Sequence, residues 1–358
     1  MNALTASTAS PAHGTAKFKW LLQREYWENR GGFFWAPLIT GAIIVGLNLI
    51  LAVIGSIAAR RSMGSSGFVF DDDTDAHQIG QALGAMGDGM LLGGVVLACV
   101  VLAFVVFFYA LGSLYDDRRD RSVLFWKSLP VSDSQMVLSK AAWALVLAPL
   151  WAIGVGLLIG VALWVISALT ITVNGVPAAH AVFTQSHPMR IIGGVLASLP
   201  VYMVWALPTV GWLMFCSAWA RSKPFLWAVL VPVLACVVIS MMTILPGVDI
   251  AHDKVWYTVV YRGLLSVIPG GWYPVVGGVV GESAHIGTPD DLVAAIRKLY
   301  ASAGGFGTVL GFDSLWLLLW ATAAAFVLWY GCVSALGAAR AGLRNDRVRQ
   351  AGDHDGMA

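Results

Sequence analysis

Charged residues are scarce in this chain of 358 residues. They make up 12% of it, against 58% hydrophobic residues, and the mean hydropathy is +0.76. Soluble globular domains carry about 25% charged residues. A water-soluble fold of this length could not bury so much apolar surface, which excludes an ordinary soluble enzyme or nucleic-acid-binding protein. The composition predicts an integral membrane protein, with the lipid bilayer as its surroundings and no nucleic-acid partner.

Cysteine is also rare. The four cysteines are spread over the chain, each inside an apolar stretch, and no two form a CxxC pair. We interpret them as small buried side chains rather than as metal ligands or a disulfide, and we predict no metal site. They are Cys99, Cys216, Cys236 and Cys332.

Catalytic motifs are missing as well. The sequence has no GxxxxGK[ST] phosphate loop, no HExxH and no GxSxG. We therefore expect no ATP hydrolysis by the phosphate-loop route, no other enzymatic activity and no cofactor bound by this chain. The apolar spans have no ionisable residue in their interior, which disfavours an ion-coupled transporter. The most polar side chain at depth is Asn48, which we expect to bond across a helix interface and which is the single candidate for a substrate contact.

Six apolar stretches are long enough to cross a bilayer as helices, at about 1.5 Å per residue. The shortest break between them is Arg221-Ser222-Lys223-Pro224. It predicts a tight turn, because two cations are costly inside hydrocarbon and Pro224 can begin a helix. The predicted spans cover residues 33–58, 90–113, 142–169, 191–219, 225–246 and 311–336, within a six-helix domain over 17–336.

Lysine and arginine are distributed unevenly between the two sides of these spans. Fifteen lie in the N-terminal segment, the second and fourth breaks and the C-terminal tail, and seven lie on the other side. The positive-inside rule places the fifteen in the cytoplasm. Both termini are therefore predicted to be cytoplasmic, with residues 1–16 as a disordered tail rather than a cleaved signal peptide and 337–358 as a basic tail.

Two segments outside the spans have recognisable patterns. Residues 17–30 place apolar side chains on one helical face, which also includes Glu25 and Asn29, and predict an interfacial helix before the first span. The outer loop 247–310 contains an apolar run interrupted by Pro269-Gly270-Gly271. This run predicts a re-entrant hairpin or an external cap before the last span, followed by a short outer helix that begins at Thr288.

The predicted cytoplasmic loop 114–141 combines a mixed-charge run with a short apolar segment. Ser122 could cap a short helix that Pro130 ends, and Ser132 with Gln135 could begin the next long helix. A short apolar helix flanked by charges suits docking into a groove on another protein. The alternative is a helix that lies on the membrane surface.

In this loop the sequence resembles the permease subunits of ABC-2 type transporters. That family carries an acidic-basic run of the form E-R-E-x-G-T, then apolar residues, an L-x-x-x-P-x-S-like turn and a lysine. Here Asp117-Arg118-Arg119-Asp120-Arg121-Ser122 occupies the charged run, Leu129-Pro130-Val131-Ser132 the turn, and Lys140 the lysine. Arg121-Ser122 replaces the usual Gly-Thr, which indicates a divergent branch. The order of interfacial helix, spans and interrupted hairpin is also similar to that family.

The resemblance implies a multi-pass permease subunit of an ATP-driven exporter in the bacterial cytoplasmic (inner) membrane. It implies a separate P-loop ATP-binding subunit, which would hold the ATP and Mg, and a second permease half, either a second copy or a paralogue. The loop would be the coupling helix seated on that ATPase. Its contact residues would be Asp116, Asp117, Arg118, Arg119, Asp120, Arg121, Ser122, Leu124, Phe125, Trp126, Leu129 and Pro130.

Two other interpretations stay open. A secondary transporter would be driven by an ion gradient without nucleotide, and a membrane sensor or assembly protein would work without an ATPase partner. The sequence identifies no substrate. Uncharged, aromatic-rich spans suit a lipid, a hydrophobic drug or a peptide better than a small ion.

Overall fold

The computed structural model describes residues 14–63, 76–120, 133–176, 179–245 and 252–272, and the single positions 294 and 297. Every regular element in these ranges is a helix. The helices are α1 (Gly14–Arg30), α2 (Ala36–Met63), α3 (Ala76–Arg119), α4 (Asp133–Ala142), α5 (Ala148–Val173), α6 (Ala181–Thr184), α7 (Pro188–Trp219), α8 (Val231–Met242) and α9 (His252–Trp256). The same ranges contain π-helical turns at Gly31–Trp35, Trp143–Leu147, Leu226–Leu230 and Tyr257–Arg262.

Within these ranges four continuous helices are long and apolar enough to cross a membrane. The chain is therefore an all-helical, membrane-embedded protein. Four predicted spans, 33–58, 90–113, 142–169 and 191–219, each fall inside one of these helices. The predicted fifth span, 225–246, corresponds to a shorter apolar helix over Leu226–Met242, and the sixth, 311–336, lies outside the described residues, as do both predicted tails apart from residues 14–16.

The predicted interfacial helix is not separate from the first span. α1 passes into α2 through the π-helical turn Gly31–Trp35, and both flanking residues keep helical dihedral angles. Neither Gly31 nor Gly32 has a positive φ, so the glycine pair does not end the helix. Phe33 anchors the turn by packing edge-on against the rings of Tyr109 and Trp143.

The charged run after the second span is helical as far as Arg119, where a loop was predicted. α3 continues through the predicted break at Tyr115 to Arg119, and the Asp120 N–H donates to the Asp116 carbonyl at 2.9 Å. The next helix is already formed at Asp133. The predicted loop 114–141 therefore begins and ends in helix, and residues 121–132 between them lie outside the described part.

α3 is the central helix of the bundle, packed against α5 and α7. The α3–α5 contact is close because glycines face each other across it. A Cβ at Gly94 would collide with the backbone of Gly160, and one at Gly156 would lie 2.7 Å from the Cα of Val95. Gly156 and Gly160 are four residues apart, the small-xxx-small spacing that lets membrane helices approach closely.

Contacts between helix ends show that the long helices alternate in direction. At one end Arg60 donates to the Val173 carbonyl, Asn174 donates to Ser56, and the His187 N–H donates to Asp88. This end of the bundle contains the C-terminal ends of α2 and α5 and the N-terminal regions of α3 and α7, and we call it the opposite end. The other ends of these helices meet at the charged end described below.

The tight turn predicted at residues 221–224 is confirmed. α7 ends at Trp219, and the next helix starts at Pro224. Lys223 has a positive φ of 46°, and its carbonyl accepts a hydrogen bond from the Leu226 N–H at 3.1 Å. The reversal is completed within four residues, so both cations stay at the end of the bundle.

Candidate functional site

A cluster of charged side chains joins three helices at one end of the bundle. Glu25 comes from α1, Asp117 from the last turn of α3 and Lys140 from α4. Two of the three are almost completely buried, with 1% of Glu25 and 2% of Lys140 exposed. We call Arg24, Glu25, Glu28, Tyr109, Asp117 and Lys140 the charged cluster.

Lys140 is the centre of the charged cluster. Its Nζ lies 3.0 Å from Glu25 Oε1 and 3.3 Å from Asp117 Oδ2. A buried charge is costly unless it is paired, so Lys140 depends on the two carboxylates and each of them depends on Lys140. Lys140 therefore holds the end of α3, the start of the α4–α5 helix and the N-terminal helix together.

Aromatic side chains complete the surroundings of Glu25. The Tyr109 hydroxyl donates to Glu25 Oε2 at 2.7 Å, so both carboxylate oxygens of Glu25 have a partner. Tyr26 and Phe33 pack against Trp143 beneath the ion pairs. These rings exclude water from the cluster, which strengthens the attraction between its charges.

Arg24 extends the cluster towards the surface. Its Nε donates to Glu28 at 2.7 Å, and its Nη2 lies 3.6 Å from Asp117 Oδ1. Asp117 thus lies between two cations, one from α1 and one from α4. The N-terminal helix therefore contributes one carboxylate, Glu25, and one cation, Arg24, to the contact with α3.

A second set of contacts ties the same turn of α3 to the end of α7. Arg118 donates to the carbonyls of Ser217 and Ala220, at 2.6 Å and 2.9 Å. A cation is favourable there because the last carbonyls of a helix have no helical partner. The buried Ser217 hydroxyl in turn accepts hydrogen bonds from the Leu114 and Tyr115 N–H groups.

The predicted contact residues divide into two groups in the structure. Asp117 and Arg118 point into the chain and make the contacts above, whereas Asp116, Arg119 and Asp120 are exposed. Sequence patterns alone did not separate these two groups. The remaining predicted contact residues lie outside the described part: Arg121, Ser122, Leu124, Phe125, Trp126, Leu129 and Pro130.

Sequence reasoning missed the role of Glu25 and Tyr109. The signal for Glu25 was its place on the apolar face of α1, where a carboxylate needs a buried partner. Tyr109 gave no signal, because a tyrosine inside an apolar span is ordinary. Asn48 is half-buried in α2, and its predicted contact across a helix interface stays a prediction.

A second buried charge, Arg262, lies far from this cluster. It is 3% exposed and belongs to the segment 252–272, which we call the packed segment. The Arg262 guanidinium stacks over the Trp205 ring at 3.7 Å and donates to the Trp205 carbonyl at 3.0 Å. Pro208 lies inside α7 and cannot donate to the Val204 carbonyl, so the helix lacks one of its hydrogen bonds at this level.

The packed segment lies against the middle of α7. The Tyr202 hydroxyl donates to the Val267 carbonyl, and the Thr209 hydroxyl donates to the Arg262 carbonyl. Gly270, with φ +86°, permits the turn that follows. Because Trp205 is near the midpoint of α7, the packed segment reaches the middle of that helix. The predicted apolar run continues beyond residue 272, outside the described residues, so the choice between a re-entrant hairpin and an external cap stays a prediction.

We expect Arg262→Leu to loosen the packed segment while the bundle stays folded. The substitution removes a desolvated cation–π contact worth about 2 kcal/mol, but it also removes a buried charge, so global stability changes little. Amide hydrogen exchange should quicken over residues 262–272. Lys254→Met, an exposed cation in the same segment, is the control. Equal exchange in both variants would contradict a holding role for Arg262.

The contacts of the charged cluster hold the ends of three helices in place. Its groups are mutually paired, and no group of three or more His, Cys, Asp or Glu side chains suited to a metal occurs among the residues the structure describes. No family model, curated protein or solved structure matches the chain.

Proposed function

We propose that the chain is the membrane-spanning permease subunit of an ATP-driven exporter of the ABC-2 type. The observation that carries the proposal is the ion pair between Asp117, before residues 121–132, and Lys140, after them; we call this pair the clamp. The helix that leads into this segment and the helix that follows it are held together by Lys140 and Asp117, at 3.3 Å. A protein that pushes on the segment would therefore move α3 and α4 as one unit.

Further polar contacts connect the clamp to the other long helices of the bundle. Lys140 also binds Glu25 in α1, which is continuous with the first long helix, and Arg118 binds the end of α7. A displacement of the segment 121–132 would thus act on all four long helices that the structure describes, through buried polar contacts. Packed interfaces of this kind favour discrete arrangements, which suits a device that switches between two states.

The proposal takes the energy from another protein, in keeping with a sequence that has no phosphate loop. In this proposal a P-loop ATP-binding subunit, which holds ATP and Mg, binds the segment 121–132 from the cytoplasm. The fifteen lysines and arginines on that side set the orientation in the bacterial inner membrane. A second permease half, identical or paralogous, completes the pathway.

Exposed charges next to the segment support docking there. Asp116, Arg119 and Asp120 point away from the buried cluster and offer charges of both signs to a partner. Such rim charges steer association, whereas apolar anchors supply most of the binding energy. In this proposal Phe125, Trp126 and Leu129 are the anchors, with Leu124 beside them.

The test is a pull-down of the tagged chain from solubilised native membranes, with mass spectrometry and an ATPase assay on the eluate. We expect a P-loop ATPase in near-equal amount, lost from the double variant Trp126→Ala with Leu129→Asp. The matched control is Phe183→Ala with Met189→Asp, two exposed apolar residues at the opposite end. An ATPase that is retained by the Trp126 and Leu129 variant would show that the docking surface is elsewhere.

Arg262 bears on the secondary-transporter alternative. It is an ionisable group that packs against the middle of α7, although its own segment lies outside the predicted spans. Arginine keeps its proton in proteins, so this side chain cannot carry protons across the membrane. Substrate flux driven by an ion gradient in vesicles without nucleotide would nonetheless favour that alternative over the exporter.

A further inference from the structure

A groove runs along one face of α3 from its middle to its charged end. It has a volume of about 760 Å³, and α1 with the following π-helical turn forms its other wall. On α3 it is lined at every fourth position over a length of about 24 Å, at 1.5 Å per residue. These positions are Phe104, Phe108, Gly112, Asp116 and Asp120.

The groove is apolar at one end. Phe104 and Phe108 are 64% and 59% exposed, so their rings are available to an apolar ligand. Towards the other end the groove is open beside Gly31, where a Cβ would meet nothing within 4 Å. The space beside Gly112 is occupied by the Asp116 carboxylate, whose Oδ2 lies 2.7 Å from where a Cβ would be. A chain-like apolar group fits along the part lined by Phe104 and Phe108.

The other end of the groove is acidic. Its two cations, Arg24 and Lys140, already contact carboxylates of the charged cluster. Among the described residues, neither Asp116 nor Asp120 forms an ion pair. With Glu28 on the opposite wall, the lining carries four carboxylates against two cations. The accessible charge of the lining at this end is therefore negative, and the exposed Arg119 is a neighbouring cation outside the lining.

We propose that this groove binds an amphipathic cation, with its positive head between Asp116, Asp120 and Glu28 and its apolar tail along Phe104 and Phe108. An anionic head would be repelled by the carboxylates, and a neutral amphiphile would leave them without a partner. The assignment names a substrate class for the proposed exporter and rests on it in that respect, but binding itself needs no ATPase.

The experiment uses the purified full chain in phosphatidylcholine nanodiscs. The probe is dodecyltrimethylammonium with a photoreactive diazirine in its tail, and mass spectrometry identifies the labelled peptide. Unlabelled dodecyltrimethylammonium and dodecanoate, which have tails of similar length and opposite charge, are the competitors. The test variant is Asp116→Asn with Asp120→Asn, two exposed positions. The control is Asp253→Asn, whose side chain is 92% exposed and lies outside the groove.

We expect saturable labelling of the part of α3 around Phe104 and Phe108, displaced by the cation and not by dodecanoate. The double variant should bind about tenfold more weakly, and Asp253→Asn should bind as the parent protein does. Labelling that never saturates, equal displacement by dodecanoate, or unchanged affinity in the double variant would overturn the proposal. Displacement by added phosphatidylethanolamine would assign the groove to a zwitterionic lipid instead. If the cation binds but the pull-down recovers no ATPase, the binding site is supported and the proposal of an ATP-driven exporter is contradicted.

Discussion

We expect Lys140→Met to lower the free energy of unfolding by about 3–5 kcal/mol, because it leaves the Glu25 carboxylate buried without its cation. The exposed fractions of the two side chains, 3% and 1%, leave little solvent to compensate for the lost ion pair. Tyr109 would still donate to Glu25, but a neutral hydroxyl does not balance a buried charge. Unfolding by dodecyl sulfate in mixed micelles, followed by tryptophan fluorescence, measures the loss.

Two further variants separate the ion pair from a general effect of substitution. The double variant Glu25→Leu with Lys140→Met should recover part of the loss, because it removes the unpaired carboxylate as well, while Asp117 keeps its contact with Arg24. Lys254→Met removes an exposed lysine and should change stability by no more than about 0.5 kcal/mol. If Lys140→Met behaved like Lys254→Met, Lys140 would not form the clamp described above.

The long helices could be predicted because a bilayer imposes a simple requirement. Twenty or so consecutive apolar residues must lie between polar breaks, and the chain meets this in four helices that the structure describes. The turn at Arg221-Ser222-Lys223-Pro224 was equally predictable, since two cations and a proline leave few alternatives. Length and polarity along the chain were sufficient for both.

Helix continuity was harder to predict. Gly31-Gly32 and the charges after Tyr115 are ordinary signals for the end of a membrane helix, yet the helix continues through both places. In each case a tertiary contact outweighs the local preference. Phe33 packs against Tyr109 and Trp143, and Arg118 binds the end of α7. In both contacts the two sides are far apart in sequence, so a local sequence pattern cannot predict them.

The buried charges show the same limit. Glu25 and Lys140 are 115 residues apart in sequence, and nothing in either segment identifies the other. Arg262 is placed by sequence in an outer loop, whereas the structure packs it against the middle of α7. The sequence predicted residues 116–122 among the contacts of one functional segment, but only the structure divides the described ones, 116–120, into inward and exposed residues.

Gly160→Leu is expected to be the most damaging single substitution in the bundle. A Cβ at Gly160 would lie 2.5 Å from the Leu91 carbonyl oxygen and 3.0 Å from the Leu91 Cα. Both are backbone atoms, so the clash cannot be relieved by a side-chain rotation and α3 must move away from α5. The expected loss is about 4 kcal/mol or more, at the upper end of what single substitutions cause. The same dodecyl sulfate titration measures it.

The matched control is Gly154→Leu, six residues earlier on the same helix. A Cβ there meets nothing within 4 Å, and the position is exposed on the bundle surface. Leucine has a higher helix propensity than glycine, by up to about 1 kcal/mol, so this variant should be neutral or slightly more stable. If Gly160→Leu fails to accumulate, Gly160→Ala still tests the contact with a single methyl group. Equal stability of the Gly160 and Gly154 variants would mean that α3 and α5 do not depend on this close approach, and the central packing of the bundle would have to be reassigned.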